Sequence, residues 1–301
     1  MNPQNIDISI VIPTYNRPER LEQCLESIAR LDYPSNRFEV IVVDDGSRIS
    51  LEPIAVKFED CISINLIRQS NAGPASARNT GAAAAQGDYL IFTDDDCQPH
   101  PDWLKTLTQA IKDFPNTLIG GHTINALPNN LYSSASQLLI DYLYDYYNQQ
   151  KEEATFFASN NFALPRKLYQ QLEGFDTSFP LAAGEDREFC DRWLHQGLKM
   201  HYAQAMQIHH AHTLTLASFW RQHFNYGRGA FYFHQVRSQR QSQPIKVEPL
   251  TFYFRLLAYP FFKKQGWRSL NLSILFFLSQ VANVAGFFRE KRLLKSTTSQ
   301  S

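Results

Sequence analysis

The sequence has few cysteines, and none of them are neighbours. Cys24, Cys61, Cys97 and Cys190 stand far apart and form no CxxC unit. That pattern argues against a zinc ribbon or a disulfide frame and reads as core thiols in a reducing compartment. The opening residues, MNPQNIDISIVIP, hold no basic segment followed by an apolar one. A secretory leader is therefore not expected, and a cytosolic start is. No low-complexity tract and no internal repeat is visible, which excludes fibrous and solenoid architectures. The first strand-like run is followed by TYNRPER, which has Arg17 and Arg20 but no glycine. A glycine-rich phosphate loop of the nucleotidyltransferase kind is thus missing.

What is present is an ordinary globular composition, 44% hydrophobic and 19% charged over 301 residues. One or two domains are expected at that length. A formal net charge of zero hides an asymmetry. From Arg237 onward the chain has eleven Lys+Arg against two Asp+Glu, which leaves the rest acidic by the same margin. A basic tail on an acidic body points to a separate, anionic partner for the tail.

The first hundred residues alternate between two periods. ISIVIPT (Ile8–Thr14), FEVIVVDD, ISINLIR and DYLIFTD read as strands. RPERLEQCLESIARL, LEPIAVKFED, the Ala-rich PASARNTGAAAAQG and PDWLKTLTQAIKDF read as helices. This order predicts an α/β fold, an open, mostly parallel sheet flanked by helices. Further on, TLIGGHTI, TFFASNNFALP and KMHYAQ are expected as strands. SASQLLIDYLYDYYNQQ, RKLYQQLEGF and EDREFCDRWLHQG are expected as helices, with DTSFPLAAG as a loop before the last.

The polar candidates sit at strand ends: Thr14–Arg17, Asp44–Ser47 and Asp94–Asp96. Ligands of open α/β sheets bind beyond the carboxyl ends of the strands. Three adjacent carboxylates repel one another and resist burial. Two readings answer this: a solvated turn that caps the next helix, or a site for a cation. Carboxylates are hard ligands that suit Mg²⁺ or Mn²⁺, held by one or two of them together with phosphate oxygens. Arg78 offers a planar fork for phosphate.

VIPTYNR, VVDDGS, NAGPASARN, FTDDDCQPHP and GEDREF follow one another in this order. Together they resemble the nucleotide-sugar glycosyltransferases of family 2, over roughly residues 8–229. The resemblance implies a GT-A (Rossmann-like) fold and a metal-dependent, inverting transfer from a UDP-type donor to a glycan or lipid-linked hydroxyl. It implies that Thr14 and Tyr15 line the base pocket, with Asn16 and Arg17 nearby, and that Asp45 or Asp44 meets the uracil edge. Arg78 would approach the base or the phosphates. The family's DxD falls on Asp94 and Asp96, with Asp96 on the metal, Asp94 toward the ribose and the metal's water, and Asp95 still a candidate. Asp186 would be the general base, with Glu185 beside it. The other reading of both acids is a first helical turn favoured by the helix dipole.

In His209-His210-Ala211-His212, His210 is the first choice to complete the metal site; a plain strand end is the other reading. Phe219–Gly229 resembles the segment that closes over the diphosphate, and it lacks the QxxRW form of processive synthases. Ser159-Asn160-Asn161 falls where acceptor-side polar groups are common, or at an ordinary strand end. A catalytic domain over 1–236 and a basic, apolar helical tail over 237–301 are expected. Leu250–Phe262 and Ser269–Phe288 are the most apolar stretches. The second is about long enough to span a bilayer. Asn271, Gln280 and Asn283 inside it, and Arg268, Arg289, Lys291, Arg292 and Lys295 around it, also suit a helix in the interface. Packing on the domain or in a dimer is the third possibility. The expected setting is cytoplasmic, at the inner face of the cell membrane, in cell-surface polysaccharide or glycolipid synthesis, with no nucleic-acid partner. A sugar-nucleotide-binding scaffold without turnover is the alternative.

Overall fold

The computed structural model describes residues 6–179, 183–241, 248–263 and 266–298. Part of the expected loop Asp176–Gly184, and residues 242–247, 264–265 and 299–301 of the expected tail, lie outside the described residues, as does the side chain of Lys295. Two compact units are present. The first comprises residues 1–124, 148–177 and 189–211, and the second residues 125–147, 178–188 and 212–301.

In chain order the first unit begins with β1 (Ile8–Thr14), α1 (Pro18–Ile28), β2 (Phe38–Asp44), α2 (Glu52–Ala55), β3 (Ser63–Arg68), α3 (Pro74–Ala84) and β4 (Tyr89–Phe92). β5 (Cys97–Pro99), α4 (Trp103–Asp113) and β6 (Leu118–Asn125) follow, and then α5 (Leu131–Tyr147), which groups with the second unit. β7 (Phe162–Pro165), α6 (Arg166–Gln171), α7 (Glu185–His195) and β8 (Met200–His210) complete the first unit. α8 (Leu216–Gln241), α9 (Leu250–Lys263) and α10 (Trp267–Thr298) belong to the second. The division falls inside α7, whose first turn groups with the second unit.

The eight strands form one sheet in the order β3-β2-β1-β4-β7-β6-β8-β5. β3, β2, β1 and β4 pair in parallel. The far side is antiparallel, at β4–β7, β6–β7 and β5–β8. All seven residues of β2 are buried, as a parallel strand covered on both faces requires. α1 starts at Pro18 and buries Leu21, Cys24, Leu25 and Ile28, the face its helical spacing predicts.

Three features differ from the sequence reading. β5 was not foreseen, because CQP is too short to show a period. β8 extends six residues past KMHYAQ, to His210. The expected strand TFFASNNFALP is ladder-bonded only from Phe162. Before it, the side chain of Asn148 stands in for a partner strand: its Oδ1 accepts from the Thr155 and Phe156 amides (3.0 and 3.3 Å), and its Nδ2 donates to the Phe156 carbonyl. Asn161 is fully buried. It donates to the His122 and Met206 carbonyls and accepts from Trp103 Nε1 at 2.9 Å. It therefore ties β6, β8 and α4 together.

The second unit is helical. Tyr142, Leu138, Leu139, Phe252, Leu256, Leu272 and Phe276 share its core. The tyrosines of α5 keep their hydroxyls paired as their rings pack. Tyr142 donates to the Phe252 carbonyl at 2.7 Å, and Tyr146 and Tyr147 both donate to Glu248. Phe219–Gly229 lies inside the 26-residue α8. Its Gly227 serves close packing. A Cβ on Gly227 would lie 1.9 Å from the Asn283 carbonyl oxygen, and one on Gly286 would lie 2.0 Å from that of Phe224. α8 and α10 meet backbone to backbone at these positions.

His223 is buried in α8 against Phe219, with ring centroids 4.4 Å apart. Burial pushes its imidazole down to about 3, with the nearby His212 adding to the effect. The unfolded imidazole binds its proton near pH 6.5. Between those values the unfolded chain holds the extra proton, so stability is lost as pH falls from about 6.5 toward 3. The melting temperature of wild type should therefore drop between pH 7.5 and 5 by several degrees more than that of His223→Phe. Equal drops in circular-dichroism melts would refute this role.

Candidate functional site

The carboxyl ends of the parallel strands make one rim of the first unit. Thr14 pairs with Asp44, which pairs with Arg68, in adjacent register. Asp94–Asp96 follow β4, whose neighbour Thr93 donates its amide to the Val11 carbonyl. Asn16 takes a left-handed backbone (φ 54°), which asparagine tolerates well. Its amide donates to Ser47 Oγ, and its Oδ1 accepts from the Arg48 amide, both at 2.8 Å. The loops after β1 and β2 are thus held together, with Tyr15 exposed between them and solvent.

Asp44 accepts from the Ser47 amide at 2.8 Å. Asp45 is more heavily engaged. Its two oxygens accept from Gln69 and Asn71 side chains and from the Ala72 and Gly73 amides, at 2.7–3.1 Å. This carboxylate holds the 69–73 loop against the rim.

The three aspartates are not a solvated turn: Asp95 and Asp96 are buried. Each has a cationic partner. Arg78, itself buried, reaches Asp94 Oδ1 at 2.7 Å and lies over the Phe175 ring. Arg17 reaches Asp95 at 3.1 Å and Asp96 at 3.5 Å. Arg20 reaches Asp96 Oδ2 at 2.7 Å. Thr14 Oγ1 donates to Asp95 Oδ2 at 2.8 Å. Burial, with the charges of Asp96 and Asp94, lifts Asp95 to about 6 against the pull of Arg17 and Thr14. Three arginines facing three aspartates resolve the repulsion that the sequence posed.

His210 arrives from the far end of the chain. β5 and β8 pair so that Cys97 faces His210, and the Ala211 amide donates to the Asp96 carbonyl at 2.9 Å. His210 Nε2 then lies 3.2 Å from Asp96 Oδ1. Burial opposes its charge, but the hydrogen bond and charge of Asp96 outweigh burial and raise its pKa. Ligand atoms of Asp96, Cys97 and His210 lie within 4.8 Å of one another. A carboxylate beside an imidazole fits a divalent cation such as Mn²⁺ or Mg²⁺. The Cys97 thiol is soft and fully buried, and burial pushes its pKa well up. The fit therefore rests on Asp96 and His210, which would hold the cation together with phosphate and water oxygens.

The sequence model described as glycosyl transferase family 2 matches residues 9–173, more than half of the chain. The chain belongs to this family. A second model, the N-terminal domain of galactosyltransferase, matches residues 142–215. The chain is 37% identical over 125 residues to the glycosyltransferase AglE of Haloferax volcanii, covering 40% of this chain and 41% of that one. Its matches span half or less of the length of AglE and of the pre-mycofactocin glycosyltransferase of Mycobacterium tuberculosis. Among solved structures, the mannosyltransferase PcManGT of Pyrobaculum calidifontis, in complex with GDP-Man and Mn²⁺, superposes with a TM-score of 0.61 at 19% identity. That match covers 97% of this chain and 79% of the other. S. aureus TarS 1–349 in complex with UDP-GlcNAc gives 0.55 at 15% identity, covering 97% and 92%. At these identities the likeness shows the fold, and the fold is GT-A.

In this family 2 chain the expected base lies in the second unit. Glu185 is buried and Asp186 half-buried, in the first turn of α7. Asp186 Oδ1 accepts from the Arg187 amide at 2.7 Å. The Arg187 guanidinium lies over the rings of Tyr147 and Phe233, and Glu188 is ion-paired with Arg240. The turn that carries Asp186 is therefore anchored to α5 and α8. Ser159, Asn160 and Asn161 are all buried, and Asn161 is committed to the fold. The residue that the sequence reading undervalued is Arg20. It lies in the first turn of α1, three positions after Arg17, the residue that precedes the helix.

Proposed function

We propose that the chain is a metal-dependent, inverting glycosyltransferase. It moves a sugar from a nucleoside-diphosphate donor, of the UDP type, to a hydroxyl of a glycan or lipid-linked acceptor. The observation that carries this is the Asp96–His210 pair beside three arginine-matched aspartates on the carboxyl rim of a GT-A sheet. UDP-GlcNAc and GDP-Man in the structural neighbours support a nucleotide-sugar donor.

In this reading Asp96 and His210 hold the cation, with Asp94 and Asp95 beside them. The cation, Mn²⁺ or Mg²⁺, supplies Lewis-acid stabilisation of the leaving diphosphate. Thr14, Tyr15, Asn16, Asp44 and Asp45 shape the base pocket. Arg17 and Arg78 stand at the rim as counter-charges that a diphosphate can share. Asp186 takes the proton of the acceptor hydroxyl as that oxygen forms its bond to the anomeric carbon. The bond from that carbon to the diphosphate breaks, and the configuration inverts. Glu185 supports Asp186. Residues 1–236 form the catalytic part. Residues 237–301 associate with the inner face of the cell membrane, where cell-surface polysaccharide or glycolipid acceptors are built.

The test is a thermal-shift panel with UDP, GDP, dTDP and CMP, each with and without Mn²⁺. A ligand that binds only the folded state raises stability in proportion to RT ln(1 + [L]/Kd), about 2.7 kcal/mol at a hundredfold excess over Kd. One diphosphate should shift the melt, and more strongly with Mn²⁺. No shift with any nucleotide would reject the donor site.

A further inference from the structure

The C-terminal helices of the second unit leave one large surface uncovered. On α10 the exposed apolar residues run Trp267, Leu270, Ile274, Phe277, Val281, Val284, Phe288, each at least 40% exposed. The spacing alternates three and four, so they form one stripe along the helix. At 1.5 Å per residue it is roughly 30 Å long. α9 adds exposed Phe254, Phe261 and Phe262. A continuous exposed apolar stripe of this length is unusual on a soluble surface.

The opposite face of α10 is committed to the protein. Leu272, Leu275, Phe276, Ser279 and Ala282 are buried. Ser273 Oγ donates to the Leu257 carbonyl at 2.8 Å. Glu290 is buried, ion-paired with Arg228 and accepting from Tyr232 at 2.9 Å. The close backbone approach of α8 at Gly227 and Gly286 fixes the helix further. The helix is long and apolar enough to cross a membrane. Crossing would carry the polar α8 and the Arg228–Glu290 pair into hydrocarbon, or strip them from α10.

Charge selects the occupant of the stripe. Arg268 is exposed at its start, where it also donates to the Pro128 carbonyl and to Ser134 Oγ. Arg289, Lys291 and Arg292 are exposed at its end. Among the described residues from 249 to 294, the one acid is the buried Glu290. Pairing with a second copy would bring basic ends together, whether the helices ran parallel or antiparallel. An anionic lipid surface meets both the apolar stripe and its basic ends.

We propose that α10 lies flat in the interface of an anionic membrane. Its Trp267–Phe288 stripe enters the headgroup–acyl boundary, its basic ends hold the headgroups, and it does not cross. This deepens, and rests on, the reading of residues 237–301 as membrane-associated.

The test is flotation of the full chain with vesicles of phosphatidylcholine, alone or with 30% phosphatidylglycerol (about 30%, enough to set a negative surface potential). Two variants accompany it: Phe277→Glu/Val281→Glu on the stripe, and Arg289→Gln/Lys291→Gln/Arg292→Gln at its end. Wild type should float with the anionic vesicles and be released by alkaline carbonate. Each variant should bind about tenfold or more weakly, at an unchanged melting temperature. Carbonate-resistant protein with its termini on opposite sides of the vesicle would overturn the proposal in favour of a span. A soluble dimer that Phe277→Glu/Val281→Glu breaks, without flotation, would overturn it in favour of a second copy. Equal binding to neutral vesicles would overturn the charge argument. The nucleotide thermal shift is read on the same samples. Flotation lost with the shift retained sinks this inference alone, and the reverse sinks the donor reading alone.

Discussion

Asp96→Asn should lower sugar transfer by roughly a thousandfold or more, with little change in melting temperature. The substitution keeps the shape and removes the charge. His210 loses the carboxylate that sits 3.2 Å from its Nε2, and on the proposed reading a cation would lose its carboxylate ligand. Arg20 loses its partner at 2.7 Å, but its side chain is about one-third exposed and can turn to water. Asp95, in turn, loses a like charge that raises its pKa. The gain and the loss offset, so the fold should persist while Mn²⁺-dependent nucleotide binding disappears. Assay of transfer beside a melt decides the matter. Retention of more than about a tenth of wild-type transfer would remove Asp96 from the metal role.

Asp186→Asn should behave differently. General-base catalysis contributes typically 10²–10⁴-fold, so transfer should fall by about that factor. Nucleotide binding should be unchanged, because the amide leaves the donor rim untouched. The Arg187 amide still finds an acceptor in the asparagine carbonyl, and the ring contacts of Arg187 still anchor the turn. Glu185→Gln should cost less. If Asp186→Asn kept full transfer, or lost nucleotide binding, Asp186 would be a turn acid and not the base.

The parallel half of the sheet was legible because buried strands and amphipathic helices leave local periods. Turn residues then mark where each strand stops, so the acidic rim could be placed from sequence. The antiparallel half was not. β5 has three residues, and its pairing with β8 joins segments more than a hundred residues apart; no local period encodes such a register. Asn148 and Asn161 each replace backbone pairing with side-chain hydrogen bonds, which hydrophobic patterning cannot reveal. Within Phe219–Gly229, Gly227 lets α8 and α10 touch, a contact that no local period encodes. The arginine partners of the three aspartates were half visible: Arg17 and Arg78 stood in motifs, whereas Arg20 gained meaning only on a helix facing Asp96.

The β5–β8 pairing also dates the assembly of the site. The rim of β1, β2 and β4 is complete within the first hundred residues, and its arginines come from the entry and first turn of α1 and from α3. His210 is synthesised more than a hundred residues later and reaches Asp96 only when β8 docks beside β5. Closing so long a loop is slow relative to local pairing. A growing chain thus has its acidic rim early and its histidine late. Strand β8 is the segment whose docking brings an imidazole to a carboxylate made more than a hundred residues earlier.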